Sequence, residues 1–264
     1  MDIQHICNQT IELSKIVGNF IRIEKAKITE EIIESKGIHN YVTYVDKTAE
    51  RMLVDGLKTI LPESDFIVEE GTSNENGAEY TWIVDPLDGT TNFIHGLPPF
   101  AISIALRRKD KIIIGIIYEI IADECFYAYE NSKAYLNGKE IKVSTREKVS
   151  DSLIATGFPY YDYGQLPQFM KTLEFFMRNS HGIRRIGSAA TDLAYVACGR
   201  FEAFYEYGLS PWDVAAGAFI VEQAGGKVCD FSGKTDWLFG KEIISSNNLV
   251  FNEFKEIINN FMKI

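Results

Sequence analysis

The sequence predicts a layered α+β protein in which helices stack against sheets. Three observations carry this: helical periodicity through about the first sixty residues, a change to strand periodicity from about Asp65, and alternating strands and helices through the second half. At 264 residues the chain has room for one large domain or two lobes sharing a core. It reads as a single domain with an N-terminal α+β lobe over about 1–150, a C-terminal α/β lobe over about 151–264, and a seam near Val149 to Ser152.

The opening helix follows from Ile3, Ile6, Ile11, Leu13, Ile16 and Val17, which recur near helical spacing; the pattern continues towards Ile33 until Gly37 breaks it. A second helix is expected from Asp46, as N-cap, to Leu61, with Pro62 beyond its end. IVEE, YTWIVD, AISIALRR, KIIIGIIYEI and ECFYAYE are short, rich in β-branched and aromatic residues and separated by turns, so they read as strands. Asn137-Gly138 marks a hairpin between Ala134-Tyr135 and Ile141-Val143. Next come a strand in SLIATG, a helix from Leu166 to Met177, a strand from Gly182 to Ile186 and a helix from Ser188 to Cys198 stopped by Gly199. A strand from Ala203 to Tyr207, a helix from Pro211 to Ala224, a strand from Lys227 to Asp230 and a helix from Asn252 complete the chain.

A net charge of −10 and a pI near 5.0 argue against a dedicated nucleic-acid binder, which presents a basic face. The longest apolar runs, such as Ile112 to Tyr118, are too short to cross a bilayer, and MDIQHICNQT lacks the basic-then-apolar order of a secretory signal. Cys7, Cys125, Cys198 and Cys229 are scattered without CxxC or zinc spacing, as expected of small buried hydrophobes in a reducing compartment. These features place the protein in the cytoplasm. An acidic chain that handles an anionic substrate needs local positive charge, and metal ions can supply it.

The chemistry concentrates in DPLDGTTNF, directly after the apolar strand TWIV. Pro86 forces an irregular turn between Asp85 and Asp88, so two carboxylates and a main-chain carbonyl can converge on one point. Hard divalent cations prefer such all-oxygen surroundings. Gly89-Thr90-Thr91 then opens a candidate helix whose free N–H groups suit a phosphate. An Asp-rich turn alone would look like this. What distinguishes it is company: Glu69-Glu70 ends the preceding strand, and Asp213 opens the helix SPWDVAAG after Ser210 and Pro211. His95, His5, His39 and His181 lie apart with no ligand spacing. Arg184-Arg185 suits a phosphate or an interface, and Phe158 to Tyr161 reads as a loop beside the site or as aromatic packing.

YVTYVDKTAE, IVEEG, WIVDPLDGTTNF, GLPPFAISIAL, RRIGSAATDLAYVACGRFEAFYE and SPWDVAAGAFIVEQAGG occur in the order seen in one family, over nearly the whole chain. The sequence resembles the inositol monophosphatase family, within the lithium-sensitive, magnesium-dependent phosphatase superfamily. The resemblance implies an αβαβα sandwich of the inositol monophosphatase/fructose-1,6-bisphosphatase type, commonly a homodimer. It also implies two to three magnesium ions: a first site from Glu70, Asp85 and the Leu87 carbonyl, a second from Asp85, Asp88 and Asp213, and a weaker third on Glu70. Glu70 and Thr90, the latter oriented by Asp46, would position the attacking water. Asp88, Gly89, Thr90, Gly187, Ser188, Ala189, Glu206 and Asp213 would contact the phosphate and the polyol. Residues Lys36 to Tyr44 resemble a mobile loop that helps hold the third ion. Thr91-Asn92-Phe93 resembles the branch that hydrolyses inositol 1-phosphate through a metal-activated water, without a covalent intermediate. The resemblance leaves two alternatives: a broader sugar phosphatase, and a protein acting mainly as a binding partner of the transcription machinery.

Overall fold

The computed structural model describes residues 1–27, 33–37, 40–71, 77–159 and 162–262. Helix α1 (Ile3–Lys25) starts at Asp2, whose carboxylate accepts from the His5 N–H at 3.0 Å, and its apolar stripe includes Ile6, Ile11, Val17 and Ile21. The helix does not continue to Ile33. Ile33–Gly37 is instead strand β1, paired antiparallel with β2 (Asn40–Thr43). Part of the loop expected over Lys36 to Tyr44 is therefore strand, and residues 38–39 lie outside the described set. Helix α2 (Tyr44–Ile60) begins two residues earlier than expected, which moves Asp46 from the N-cap into the first turn.

Strands β3 (Ser64–Val68), β4 (Tyr80–Asp88), β5 (Ala101–Arg108), β6 (Lys111–Glu119), β7 (Glu124–Tyr129), β8 (Ala134–Leu136) and β9 (Lys139–Ile141) form one seven-stranded sheet in chain order. Only β3 and β4 run parallel in it; the rest is an antiparallel meander closed by the Asn137-Gly138 turn, where both residues have positive φ (47° and 81°). The short helix α3 (Thr90–Ile94) follows β4. The expected seam falls on a 3-10 turn at Val149–Asp151, between the last strand of this sheet and the first strand of the next.

The second sheet is mixed, in the order β11 (Gly182–Arg184), β10 (Leu153–Thr156), β12 (Ala203–Tyr207), β14 (Glu242–Ser246) and β13 (Lys227–Cys229). Glu242–Ser246 carries no element in the sequence reading; here it pairs antiparallel with both neighbours. Helices α4 (Leu166–Asn179) and α7 (Phe251–Met262) cover the outer face, and α5 (Ala189–Ala197) and α6 (Pro211–Gln223) lie between the sheets. With α1 and α2 outside the first sheet, the layers are those of the αβαβα sandwich.

Three apolar cores match the layers. Trp82, Phe66 and Leu53 lie under α1 and α2, Ile83, Phe126 and Leu193 surround α5 and α6, and Phe176, Tyr205 and Phe254 lie under α4 and α7. The four cysteines are unpaired; burial pushes the Cys7, Cys125 and Cys229 thiols up to about 12, so they serve as core atoms and not as nucleophiles. Among the described residues, no helix is long and apolar enough to cross a membrane.

Helix α6 can lie this close to the first sheet because β6 carries Gly115, where an added Cβ would sit 2.7 Å from the Ala216 carbonyl oxygen and 3.2 Å from the Phe219 ring. The obstacle is backbone and cannot rotate away. Gly115→Ala is expected to lower stability by about 1–3 kcal/mol as α6 is pushed outward. Urea unfolding of the purified variant checks this, and an unchanged midpoint would show that the close approach is not required.

Candidate metal centre and active site

A cavity of about 300 Å³ opens between the two sheets, and almost every residue singled out in the sequence borders it. Strand β4 runs through Pro86 to Asp88, but its register against β5 shifts between Asp85 and Asp88. That irregularity turns both carboxylates towards one point, since a regular strand would send residues three apart to opposite faces. The Leu87 N–H donates to Asp85 Oδ1 at 2.9 Å and fixes the first carboxylate. Asp88 crosses to the second lobe, where its Oδ2 accepts from Ser188 Oγ at 2.5 Å and from the Ala190 N–H at 2.8 Å. These donors stand at the N-terminus of α5, where N–H groups lack helical partners and the dipole favours an anion.

Asp213 occupies the third position of α6 and accepts from the Ser210 N–H at 2.7 Å, so it caps its own helix while facing the cavity. Carboxylate oxygens of Asp85, Asp88 and Asp213 lie within 4.8 Å of one another. Ser103, opposite Asp85 in the sheet, donates from Oγ to the Trp212 carbonyl at 2.9 Å and so ties β5 to the first turn of α6.

Glu70 is not where the resemblance places it. Strands β3 and β4 pair in parallel up to Val68 opposite Val84, and Glu69, the residue after β3, acts electrostatically on Asp85, the residue after Val84. Phe66, Val68, Trp82 and Val84 pack in the core under α1 and α2, whereas Ile67 and Ile83 face α5 and α6. Glu69, just past the end of β3, lines the cavity with Asp85. Glu70 is not among the lining residues, and its N–H donates to Glu50 Oε2 at 2.7 Å. The wall carboxylate next to Asp85 is thus Glu69.

Thr90 opens α3 beside these acids. Its Oγ1 lies 3.1 Å from Asp46 Oδ1 and 3.0 Å from the Leu87 carbonyl, and its single proton serves one acceptor at a time. Asp46 reaches it from the first turn of α2, where it is buried. Gly89, at φ 92°, and Gly187, at φ 89°, bring the lobes together: a Cβ on Gly89 would lie 3.2 Å from the Gly187 carbonyl, and one on Gly187 would meet Asn92 at 2.9 Å. Asn92 itself does not line the cavity. Its amide donates to the carbonyls of Pro99 (2.8 Å) and Ile186 (2.7 Å), joining α3 to the segment that leads from β11 into α5.

Gly187, Ser188, Ala189 and Glu206 border the cavity as expected, joined by Gly157, Phe158, Arg185 and Asp192. Arg185 stacks over the Phe158 ring at 5.5 Å, whereas Arg184 is exposed and bonds to the Ile183 carbonyl. His95 merely ends α3 and is exposed; Tyr160 and Tyr161 lie outside the described residues. Asp192 is absent from the residues that the sequence singles out. Its signal was one acid inside the otherwise apolar or neutral run AATDLAYVA.

The electrostatics follow from packing acids together. Burial raises Asp85 well above the usual carboxylate range, reinforced by Glu69, Asp88 and Asp213. Burial lifts Asp88 to about 6 against the donors from α5, and burial with the Asp88 charge lifts Asp213 to about 8. An all-oxygen pocket of several mutually repelling carboxylates fits a hard divalent cation, whose charge cancels the repulsion that raises these values.

A layered fold with acids from both sheets converging at one cavity defines a protein whose central cavity could hold a divalent cation. The profile of the inositol monophosphatase family matches residues 2–260. The chain is 38% identical to the Nus factor SuhB of Pseudomonas aeruginosa over 253 residues, covering 94% of this chain and 93% of that protein. It is 36% identical to the fructose-1,6-bisphosphatase/inositol-1-monophosphatase of Thermotoga maritima over 250 residues, covering 95% and 94% respectively. The crystal structure of the extragenic suppressor protein suhB from Bartonella henselae superposes with a TM-score of 0.91 at 37% identity, covering 95% of this chain and 97% of that one. The chain belongs to the inositol monophosphatase family.

A carboxyl with a raised pKa in the folded chain holds its proton more tightly there than in the unfolded chain. Its favourable contribution is complete below the unfolded value of about 4 and is lost as pH climbs through the folded value. For Asp88 and Asp213 those folded values are about 6 and about 8. The metal-free protein should therefore lose stability between about pH 5 and pH 8, and magnesium, which takes deprotonated carboxylates, should raise the melting temperature more at the upper pH. Thermal melts with and without magnesium at both pH values check this; equal shifts would contradict it.

Proposed function

We propose that this chain is a magnesium-dependent phosphomonoesterase whose preferred substrate is a polyol monophosphate, inositol 1-phosphate in particular. The observation that carries the reading is the convergence of Asp85, Asp88 and Asp213 beside a threonine hydroxyl held by a buried aspartate. Glu69, Asp85, the Leu87 carbonyl, Asp88 and Asp213 would hold two to three magnesium ions. When bound, magnesium neutralises the phosphate dianion and acidifies a water.

The chain's own groups do the positioning. With its proton engaged by Asp46 Oδ1 or the Leu87 carbonyl, Thr90 Oγ1 presents lone pairs that accept from the attacking water. Glu69, on the same wall, accepts a hydrogen bond from the second proton of that water and so aims its oxygen at phosphorus. As the new P–O bond forms, the bond from phosphorus to the alcohol oxygen breaks. The departing oxygen takes a proton from water, and the proton of the attacking water leaves with the phosphate. The N–H groups of Gly89 and Thr90 hold phosphate oxygens, as free N–H groups at a helix start do. Gly187, Ser188, Ala189 and Glu206 face the alcohol. Asp88 and Asp213 lie between the two halves of the ester and serve both. No side chain need become covalently phosphorylated.

The name of the Thermotoga relative covers two substrates, so a wider sugar-phosphatase range is the nearest competitor. Hydrolysis rates on inositol 1-phosphate, fructose 1,6-bisphosphate, histidinol phosphate and adenosine 3′,5′-bisphosphate, with and without magnesium, decide it. The expected result is strict dependence on magnesium and the highest kcat/KM on inositol 1-phosphate; preference for the nucleotide would overturn the polyol assignment. The name of the Pseudomonas relative favours a second role, in the cytoplasm, as a partner of the transcription machinery. A pull-down with Asp85→Asn separates that role from turnover, because the variant should lose hydrolysis and retain binding.

The assignment of Glu69 has its own test. Glu69→Gln should lower kcat by roughly a hundredfold or more, in the range of a lost catalytic positioning group. Glu70→Gln should change kcat severalfold at most. Paired kinetics on the two purified variants give the answer, and the reverse order would return the metal site to Glu70.

A further inference from the structure

Asp192 is an acidic side chain of the cavity wall that hydrolysis leaves without a task. It stands one turn into α5, four residues past the Ser188 that binds Asp88, and therefore on nearly the same helix face. It is 1% exposed, lines the cavity, and its Oδ1 makes no hydrogen bond. Structural buried acids are normally saturated with donors, because a carboxylate oxygen without one is among the more destabilising things to bury. The α5 terminus does not supply them: the Ala190 N–H goes to Asp88, the Thr191 N–H to Ser188 Oγ, and the Asp192 N–H to the Ser188 carbonyl. An apolar residue would pack better in a helix whose neighbours are Leu193, Ala194 and Val196. Packing alone does not explain an aspartate here.

Its surroundings point to a ligand. Glu206 rises from β12 into the same wall, its carboxylate filling the space over Gly157, where a Cβ would come within 1.9 Å of it. Arg185, from the segment after β11, acts on both acids and is braced over the Phe158 ring at 5.5 Å. The wall formed by the end of β10, β12 and α5 thus offers two carboxylate acceptors and one guanidinium donor. Hydroxyl groups both donate and accept, so neighbouring hydroxyls on one carbon skeleton satisfy such a set together. A phenol or a simple alkyl alcohol would enter the cavity and leave Asp192 Oδ1 without a donor, and an unpaired buried polar group is the condition under which a polar site rejects an analogue most strongly.

Resting on the phosphomonoesterase reading above, we propose that Asp192 is a specificity-determining residue. It accepts a hydrogen bond from one hydroxyl of the alcohol while Glu206 accepts from another. The site therefore selects phosphate esters of polyols with at least two free hydroxyl groups over esters of phenols and simple alcohols.

The test compares kcat/KM for inositol 1-phosphate and 4-nitrophenyl phosphate, with magnesium, in the parent protein, Asp192→Ala and Asp192→Asn. The parent should prefer the inositol ester. Asp192→Ala should lower the ratio of the two kcat/KM values by about tenfold or more, the usual consequence of losing a hydrogen bond to a charged group, with most of the change in KM. Asp192→Asn keeps a carbonyl acceptor and should recover part of the ratio. The melting temperature of Asp192→Ala should equal or exceed that of the parent, because a buried oxygen without a donor has been removed. A purely structural aspartate predicts the opposite: a lower melting temperature and both esters declining by the same factor. Either that result, a ratio within twofold of the parent, or a parent that prefers the nitrophenyl ester overturns the proposal while the phosphatase reading stands. A parent that hydrolyses neither ester overturns the phosphatase reading, and this proposal with it.

Discussion

Asp85, Asp88 and Asp213 repel one another, and the chain still brings their oxygens within 4.8 Å inside a largely buried wall. Two unit charges about 4 Å apart interact by roughly 4 kcal/mol at the effective dielectric typical of partly buried protein sites. A hydrogen bond to a charged group returns about 1.5–3 kcal/mol. One donor per acid therefore offsets only part of the repulsion. Asp85 takes the Leu87 N–H, Asp88 takes the α5 terminus, and Asp213 takes the Ser210 N–H. The remaining repulsion appears as raised proton affinity. The metal-free centre is thus held in readiness by a fold that tolerates the strain, and a divalent cation is the charge that relieves it.

That tolerance depends on contacts well away from the acids. Asp213 arrives from the second half of the chain, so its position depends on how closely α6 approaches the first sheet. Gly115 sets that approach from β6, and the bond from Ser103 to the Trp212 carbonyl fixes the first turn of α6 beside the strand that carries Asp85. Asn92 does the equivalent for α5, tying it through Ile186 to the segment after Asp88. Each acid is therefore supported twice: by a local N–H donor and by a tie between the lobes. Apolar burial around Leu193 and Phe219 supplies the adhesion, and these polar bonds supply the register.

Much of this was legible in the sequence. Asp85 and Asp88 lie three residues apart in one turn-forming segment, and Asp213 opens a helix with Ser and Pro at its start, so local chemistry marks all three. The choice between Glu69 and Glu70 was not legible, because the two are adjacent and both follow the end of β3; only the folded chain, which brings Glu69 to the cavity wall, separates the two. Asn92 looked like a marker of substrate branch and proves to be a tie between carbonyls, a role that depends on segments ninety-odd residues apart. Asp192 sits in a helix whose composition reads as core, and an orphaned oxygen is a property of three-dimensional packing alone. The helix expected to run towards Ile33 failed for a similar reason, since local periodicity cannot register a pairing between β1 and β2.

On the proposed reading, the cavity divides by function along the same line that divides the chain. Its phosphate and metal side would be built from β3, β4 and α3, joined by Asp213 from the C-terminal half. Its alcohol side would be built from β10, β12, α5 and Arg185, all from that half. Chemistry at phosphorus needs fixed distances among several acids, so a substitution on the first side disturbs every ligand at once. Recognition of the alcohol needs only that acceptors and donors match hydroxyl groups, so Asp192, Glu206 and Arg185 can change singly without moving the metal ligands. A fold arranged this way can keep one hydrolytic centre while its substrate changes, or acquire a binding role that leaves the centre intact. The different names carried by relatives of near-equal identity, a Nus factor and a two-substrate phosphatase, are what such a division allows.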